Sequence, residues 1–583
     1  MLKLLKNLNK KDWLYVFISA ILIVFQVWLE LKMPDYMSNI TQLVQTKGAA
    51  MSDILREGGY MLLCAFGSLV SAFIVGYFTS SISASFSYRT RGKLFRKVED
   101  ISTYEIKKFS PSSLITRTTN DITQIEFLIA MGLTLMIKAP ITAVWAVTKI
   151  VNKSIEWSIL TGVAVLVLLI TIGIIMIIVM PKFKIVQELL DKVNMVMREN
   201  LTGIRVVRAF NAEEYQEDKF EGINNKLTKQ QIFNQTAFNY LSPIMYFLTL
   251  GIYFIGAILI NDAGMGDKIV LFGNMIVFSS YAMQVIMSFL MLAMIFMMLP
   301  RASVSAKRIN EVLDTPISVK EGTVTENNSD IKGTVEFKNV SFKYPDADEY
   351  VLEDISFKVN KGEVIAFIGS TGSGKSTLIN LIPRFYDATS GEILVDGINV
   401  KDYNFEYLNN IVGYVPQKAV MFSGSVLSNI TFGKNRHGKP SKERVKAAIR
   451  VSQAEEFVSK LDDKEKAHIA QGGTNVSGGQ KQRLSIARTI ARDPEIYIFD
   501  DSFSALDYKT DSTLRSELKK YTKDATVMIV AQRIGTILNA DKIVVLDNGK
   551  CVGIGTHKEL MKKCKVYKEI ALSQVSKEEL ENV

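Results

Sequence analysis

Six uninterrupted apolar stretches, at about residues 13–33, 58–80, 128–151, 156–180, 238–260 and 269–299, constrain this 583-residue chain more than any other feature. Each is close to the roughly 20 apolar residues that a helix needs to cross a hydrocarbon core, so all six are expected to be membrane-spanning helices. The chain after about residue 300 has no such run and is expected to be soluble. With 48% hydrophobic and 10% aromatic residues, the composition excludes disordered, collagen-like and disulfide-scaffold classes. Three cysteines, Cys64, Cys551 and Cys564, make neither a disulfide framework nor a metal site. The net charge of +10 is spread over the loops between apolar runs rather than gathered in one stripe. That pattern suits anionic lipid headgroups and argues against nucleic acid as a partner.

Orientation follows from the lysines and arginines. Lys3, Lys6, Lys10 and Lys11 precede the first span, and Arg89, Arg91, Lys93, Arg96 and Lys97 follow the second; both groups belong on the cytoplasmic side. Arg198, Arg205, Arg208 and Lys219 in the long connection after the fourth span fall on the same side, and the short loops near Lys153 and Asp262 on the other. Both termini are therefore expected in the cytoplasm. The first span is too long for a signal peptide, lacks a small-residue cleavage site and runs into Glu30, Lys32 and Pro34, so it is expected to be retained.

The two inner connections keep helical periodicity, as in Val186, Leu189, Val193 and Val196, and are expected to extend the spans into the cytosol. Their turns are expected at Phe109–Ser113 and within Gly203–Phe210, where a mixed apolar and basic surface could dock on the soluble half. Inside the membrane, Lys138 is followed by Pro140 near the middle of the third span. An intramembrane cation faces a polar interior or finds a partner; Glu30 and a lipid phosphate are the candidates, and a structural pair weighs more than substrate contact. Met283, Met287, Met291, Met294 and Met298 recur at steps of three and four and form one stripe. Such thioethers make either a packing surface or a pliable wall for apolar ligands.

The soluble half begins after a polar stretch ending near Lys332. The expected boundaries are 1–305 for the membrane domain with its six helices and two long cytoplasmic helical loops, 306–332 for a linker and 333–583 for a nucleotide-binding domain. Val364–Ile368 is an apolar strand run leading into Gly369-Ser370-Thr371-Gly372-Ser373-Gly374-Lys375-Ser376-Thr377 and then a helical pattern. This is a phosphate-binding loop in its strand–loop–helix context. Its glycines let backbone N–H groups and a helix N-terminus meet phosphate, Lys375 reaches the β and γ phosphates, and Ser376 offers a hydroxyl to Mg²⁺. A second strand run, Ile496–Phe499, ends in Asp500-Asp501 and places a carboxylate where it can hold Mg²⁺ beside that loop. Between them lies Val476-Ser477-Gly478-Gly479-Gln480, opening a helix, which a generic nucleotide domain does not need.

On these residues the chain resembles the ATP-binding cassette superfamily. Tyr344 stands where that family stacks adenine, Gln417 in Tyr414-Val415-Pro416-Gln417 resembles the Q-loop, with the role at the metal and in catalysis that this implies, and Ser504-Ala505-Leu506-Asp507 resembles the D-loop. Six spans followed by one cassette are similar to an exporter-type half-transporter. The resemblance implies an α-helical membrane domain followed by an α/β P-loop domain, two such chains per transporter, and each ATP held between the phosphate loop of one cassette and the Ser477–Gln480 signature of the other.

Two positions depart from the pattern. The family has Glu after the Walker B aspartate and His in the switch loop, whereas this chain has Asp501 and Gln532. Asp501 has a shorter arm than Glu, by about 1.5 Å, and a general base acts only within hydrogen-bond reach; Gln532 can hydrogen-bond phosphate but cannot take a proton. This site is therefore expected to bind ATP and hydrolyse it weakly, while its intact signature serves a partner chain. The pattern resembles the degenerate-site subunit of bacterial heterodimeric multidrug exporters, and implies export of an amphipathic small molecule across a bacterial plasma membrane. A lipid or peptide exporter or flippase, and an ATP-gated regulatory subunit, are the rival readings.

Overall fold

The computed structural model describes residues 2–574 apart from 47, 152–154, 263, 328–329 and 436–437; the outer loop expected at Lys153 thus lies outside the described residues. Two compact units result, one formed by Met1–Glu99 with Ser110–Asp314, the other by Asp100–Phe109 with Thr315–Val583.

Among the described residues the first unit has helices and no strand, beginning with a single turn of helix at Leu2–Leu5. It comprises α1 (Lys10–Gln45), α2 (Met51–Asp100, whose last residue belongs to the second unit), α4 (Pro111–Thr118), α5 (Asn120–Val151), α6 (Ile155–Ala209), α7 (Glu213–Asn239), α8 (Leu241–Asp262) and α9 (Met265–Leu313). The short helix α3 (Thr103–Lys108) intervenes in the chain but belongs to the second unit. Among the described residues, six helices or helix pairs are long and apolar enough to span a bilayer. Helices suit that solvent because each satisfies its backbone within itself. Asn9 and Asp12 form a capping box at the start of α1, with the Asn9 N–H donating to Asp12 Oδ2 at 2.7 Å. Helix α9 packs along α5 and α1, burying Ile23, Val27, Leu31, Ala146, Ile150, Phe278, Tyr281 and Val285. Helices α6 and α7 run together as a pair. Helix α9 continues past residue 305 to Leu313 and its unit ends at Asp314.

The first inner turn falls at Phe109–Ser110, inside the stretch the sequence points to, and the second lies just beyond its own. Pro111–Ser113 is the first turn of α4, capped by Ser110 and started by Pro111 at its first position; the chain breaks just before, because a residue preceding proline disfavours helix. Gly203–Ala209 remains helical, and the reversal falls after it, at Phe210–Ala212, where Asn211 takes φ 51°.

The second unit holds two main sheets. One is antiparallel, in the order β2 (Leu352–Val359), β1 (Val335–Phe342), β4 (Ser390–Val395), β5 (Ile398–Asn399). The other has six strands. Its order is β10 (Lys550–Gly555), β9 (Lys542–Asp547), β3 (Val364–Gly369), β8 (Thr526–Val530), β7 (Ile496–Asp500), β6 (Val412–Val415), parallel except for β10. Strands β7 and β8 are buried along their whole length, as parallel strands covered on both faces are. Side chains of alternate residues feed two cores: Tyr497, Phe499, Val527 and Ile529 one, Ile496, Ile498, Met528 and Val530 the other.

Candidate functional site

Strand β3 delivers the chain into a loop that only glycine can build at two points. Gly372 and Gly374 have φ +86° and +94°, a left-handed conformation that favours glycine. At Gly374 a Cβ would also meet Leu352 Cδ2 at 2.8 Å, and at Gly369 it would lie 2.1 Å from the Leu546 carbonyl oxygen. Helix α10 (Lys375–Asn380) follows directly. Lys375 Nζ reaches back over the loop and donates to the carbonyls of Gly369 at 2.8 Å and Ser370 at 2.7 Å. Burial pushes this ammonium below its ordinary value, against the opposing pull of Asp501 and Asp500.

Strand register brings the remaining polar groups to this loop. Val415 of β6 pairs with Phe499 of β7, and Asp500 pairs with Val530 of β8. Gln417, Asp501 and Gln532 lie just beyond these ends, and their side chains meet. Asp501 Oδ2 accepts from Gln417 Nε2 at 3.2 Å and from Gln532 Nε2 at 2.9 Å. Asp500 receives the Ser376 hydroxyl at 2.8 Å on Oδ1 and the Tyr414 hydroxyl at 3.2 Å on Oδ2. Burial raises both aspartates above their ordinary value, against the bonds from Ser376 and Tyr414 at Asp500 and from Gln417 and Ser504 at Asp501. A hydroxyl, a carboxylate and a carboxamide oxygen are the hard donors that Mg²⁺ takes beside phosphate, so Ser376, Asp500 and Gln417 fit that ion.

Tyr344 packs against α10. Its hydroxyl is 3.1 Å from Thr377 Oγ1, and its ring meets Tyr386 edge-on at 5.3 Å. Lys107 of α3 sits over both rings, 5.7 Å from Tyr344 and 5.5 Å from Tyr386. Tyr104 donates its hydroxyl to Asp346, and Ser102 meets Ser318 at 2.8 Å. The segment that packs on the cassette is thus Asp100–Phe109, just before the turn the sequence picked out. Its alternation of aromatic and basic residues, Tyr104, Lys107 and Lys108, was the available signal.

Ser477 caps helix α11 (Gly478–Arg492), its hydroxyl accepting from Gln480 N–H while Gln480 Oε1 accepts from Ser477 N–H. Ser477 and Gly478 are exposed, and a Cβ on Gly478 would meet open space. This leaves the first turn of a 15-residue helix free to receive an anion.

In the membrane unit Lys138 Nζ donates to Glu30 Oε1 at 2.8 Å, and Gln26 and Ser68 donate to the same oxygen at 2.9 and 3.2 Å. A second pair, Lys149 with Asp35 at 2.8 Å, also joins α1 to α5. The methionine stripe divides: Met283 packs with Met245 and Ile286, Met291 and Met298 are half-buried, and Met287 and Met294 are exposed.

Comparison with known proteins agrees with this architecture. Residues 16–289 match the ABC transporter transmembrane region and residues 352–504 the ABC transporter domain. An uncharacterized ABC transporter ATP-binding protein of Mycobacterium bovis is 39% identical, over 92% of this chain and 93% of the relative. A putative multidrug export ATP-binding/permease protein of Bacillus subtilis is 31% identical over 85% and 84% of the two chains. An ATP-dependent lipid A-core flippase of Pseudomonas aeruginosa is 30% identical over 86% and 82%. A bacterial Atm1-family ABC exporter solved with ATP bound shares the fold, with a TM-score of 0.78, 22% identity and coverage of 98% and 100%. The chain therefore belongs to the ABC transporter family, as an exporter-type half-transporter with one membrane region and one ATP-binding ATPase domain.

Proposed function

We propose that this chain is one half of a heterodimeric exporter that moves amphipathic small molecules out across the plasma membrane, and that its own ATP site is the degenerate one. The observation that carries the reading is the pair of glutamine amides on Asp501 Oδ2. A carboxylate on a short arm, engaged by two donors and without an imidazole beside it, is a poor general base for water. Gln532 keeps a hydrogen-bonding group for the γ-phosphate, so the site holds ATP. Ser376, Asp500 and Gln417 would hold Mg²⁺, which when bound neutralises charge between the phosphates. The exposed turn at Ser477–Gly479 would complete the partner's site, as a helix N-terminus suited to a γ-phosphate.

Closure of the two cassettes around ATP would be coupled to outward opening of the spans. The basic residues of the inner connections support a cytoplasmic position for both termini and the cassette. The relative named as a multidrug export protein and the exposed Met287 and Met294 favour an apolar, shape-tolerant cargo. A flippase is the second reading, favoured by the relative named as a lipid A-core flippase. ATPase and dye efflux in lipid, measured for this chain alone and with a candidate partner, test the proposal. Activity that needs the partner, and that is lost on the partner's catalytic Glu→Gln but kept on Asp501→Asn, is the expected result. Full activity of this chain alone overturns it, and fluorescent-lipid movement without dye efflux selects the flippase.

A further inference from the structure

The switch loop is held from an unexpected direction. Helix α12 (Lys565–Gln574) is anchored in the cassette core by Tyr567 and Ala571, both fully buried. The Tyr567 hydroxyl lies 2.8 Å from His557 Nδ1, which ties down the helix's first turn. At its end, Gln574 Nε2 donates to the Gln532 carbonyl at 2.7 Å, and Gln574 Oε1 accepts from the Ile534 N–H at 2.9 Å. One side-chain amide thus pairs with the backbone on both sides of Arg533, as a neighbouring strand would. The donor and acceptor it meets fix which way the amide points. The residue so held, Gln532, is the one whose carboxamide rests on Asp501 Oδ2.

We propose that Gln574 is a positioning residue for the switch loop: the C-terminal helix clamps residues 532–534 and thereby keeps the Gln532 carboxamide at the nucleotide site, slowing release of ATP. The inference rests on the reading of Gln532 as the group that faces the γ-phosphate. A side chain held by its own backbone loses less freedom when a ligand is bound, so the clamp acts on retention rather than on chemistry. Gln574 touches neither phosphate-loop residue nor aspartate through these bonds, and its effect must pass through Gln532.

The test uses the full chain in lipid nanodiscs with Mg²⁺ and a ribose-labelled fluorescent ATP, followed by chase with unlabelled ATP. Gln574→Ala removes both bonds, and Gln574→Glu keeps the acceptor for Ile534 N–H while losing the donor to Gln532. One hydrogen bond of ordinary strength corresponds to about a 2- to 10-fold change and only part of what the two bonds contribute reaches the nucleotide through Gln532, so Gln574→Ala should release the nucleotide about 3- to 10-fold faster, with Gln574→Glu between it and the parent. Amide exchange at Ile534 should rise in Gln574→Ala. In a Gln532→Ala background the same change should add nothing to the release rate, which a merely stabilising contact would not predict. An equal acceleration in that background, or none in the parent while Gln532→Ala itself accelerates release, overturns the clamp. Unaltered release in Gln532→Ala alone would instead remove the underlying reading of Gln532, and the clamp's role in retention with it.

Discussion

Breaking the Glu30–Lys138 pair should cost far more than removing it. The two charges are 2.8 Å apart and their side chains are 23% and 20% exposed. At an effective dielectric constant of about 20 the gross attraction is roughly 6 kcal/mol, most of it offset by the desolvation of both ions. Glu30→Gln retains an acceptor oxygen for Gln26 and Ser68 but leaves the ammonium of Lys138 among apolar helices without its counter-charge. A loss of about 3 kcal/mol is expected, the lower part of the range for an orphaned buried ion. Lys138→Met removes the cation, leaves Glu30 with its two neutral donors and should likewise cost about 3 kcal/mol. The double variant Glu30→Gln/Lys138→Met strands no ion and should lie within about 1 kcal/mol of the parent. Thermal unfolding of the purified chain in nanodiscs, read by intrinsic fluorescence, measures all four corners of the cycle. A double variant whose loss equals the sum of the singles would refute the reasoning, since independent sites add. Cargo efflux on the same set then separates two roles. Activity lost in Lys138→Met and regained in the double variant marks a structural pair, and activity lost in both marks contact with the cargo.

Asp501→Glu together with Gln532→His should raise ATP turnover at this chain's site, by up to the roughly 10²- to 10⁴-fold that a positioned base contributes; single-turnover hydrolysis with the partner's own site inactivated measures it, and an unchanged rate speaks against weak catalysis here. Ser477→Arg should suppress the partner-dependent ATPase while leaving fluorescent ATP binding to this chain intact, at a stability cost of about 1 kcal/mol for the lost cap. Burial pushes Asp396 up to about 6, with Glu495 adding to the rise against the Thr334 N–H bond. The folded state therefore binds this proton more tightly than the unfolded one, so this contribution to stability falls as pH rises from about 4 to about 6. Asp396→Asn should flatten the dependence by on the order of 2 kcal/mol, seen as melting temperatures at pH 5 and 7.5 that differ less than in the parent.

The motifs of the nucleotide site were legible because each is local. The run Gly369–Thr377 carries its strand, its left-handed glycines and its helix in one stretch of chain, and Ser477–Gln480 carries both halves of its capping box. The extent of the turns was less legible because helix continues until a specific residue stops it: Pro111 starts α4 inside the stretch where a turn was expected, and α6 runs on to Ala209 before Asn211 takes the reversal. Lys138 showed itself as a charge in lipid, but two partners fitted equally until the packing of α1 against α5 put Glu30 within 2.8 Å.

By itself, then, the order of residues determined which segments can live in hydrocarbon, where phosphate can be cradled, and that Asp501 and Gln532 stand after the second strand run and its neighbour. These are properties of single helices, loops and side-chain chemistries, and they need no neighbour. Tertiary structure decided what meets what. Parallel pairing of β6, β7 and β8 converts three separated positions, Gln417, Asp501 and Gln532, into one hydrogen-bonded cluster. Packing also assigned α3 to the cassette, with Lys107 over Tyr344, and brought Gln574 from the far end of the described chain onto the switch loop. Contacts of this kind depend on strand order, register and helix packing, which arise from the summed burial of many side chains and are written in no single stretch of sequence.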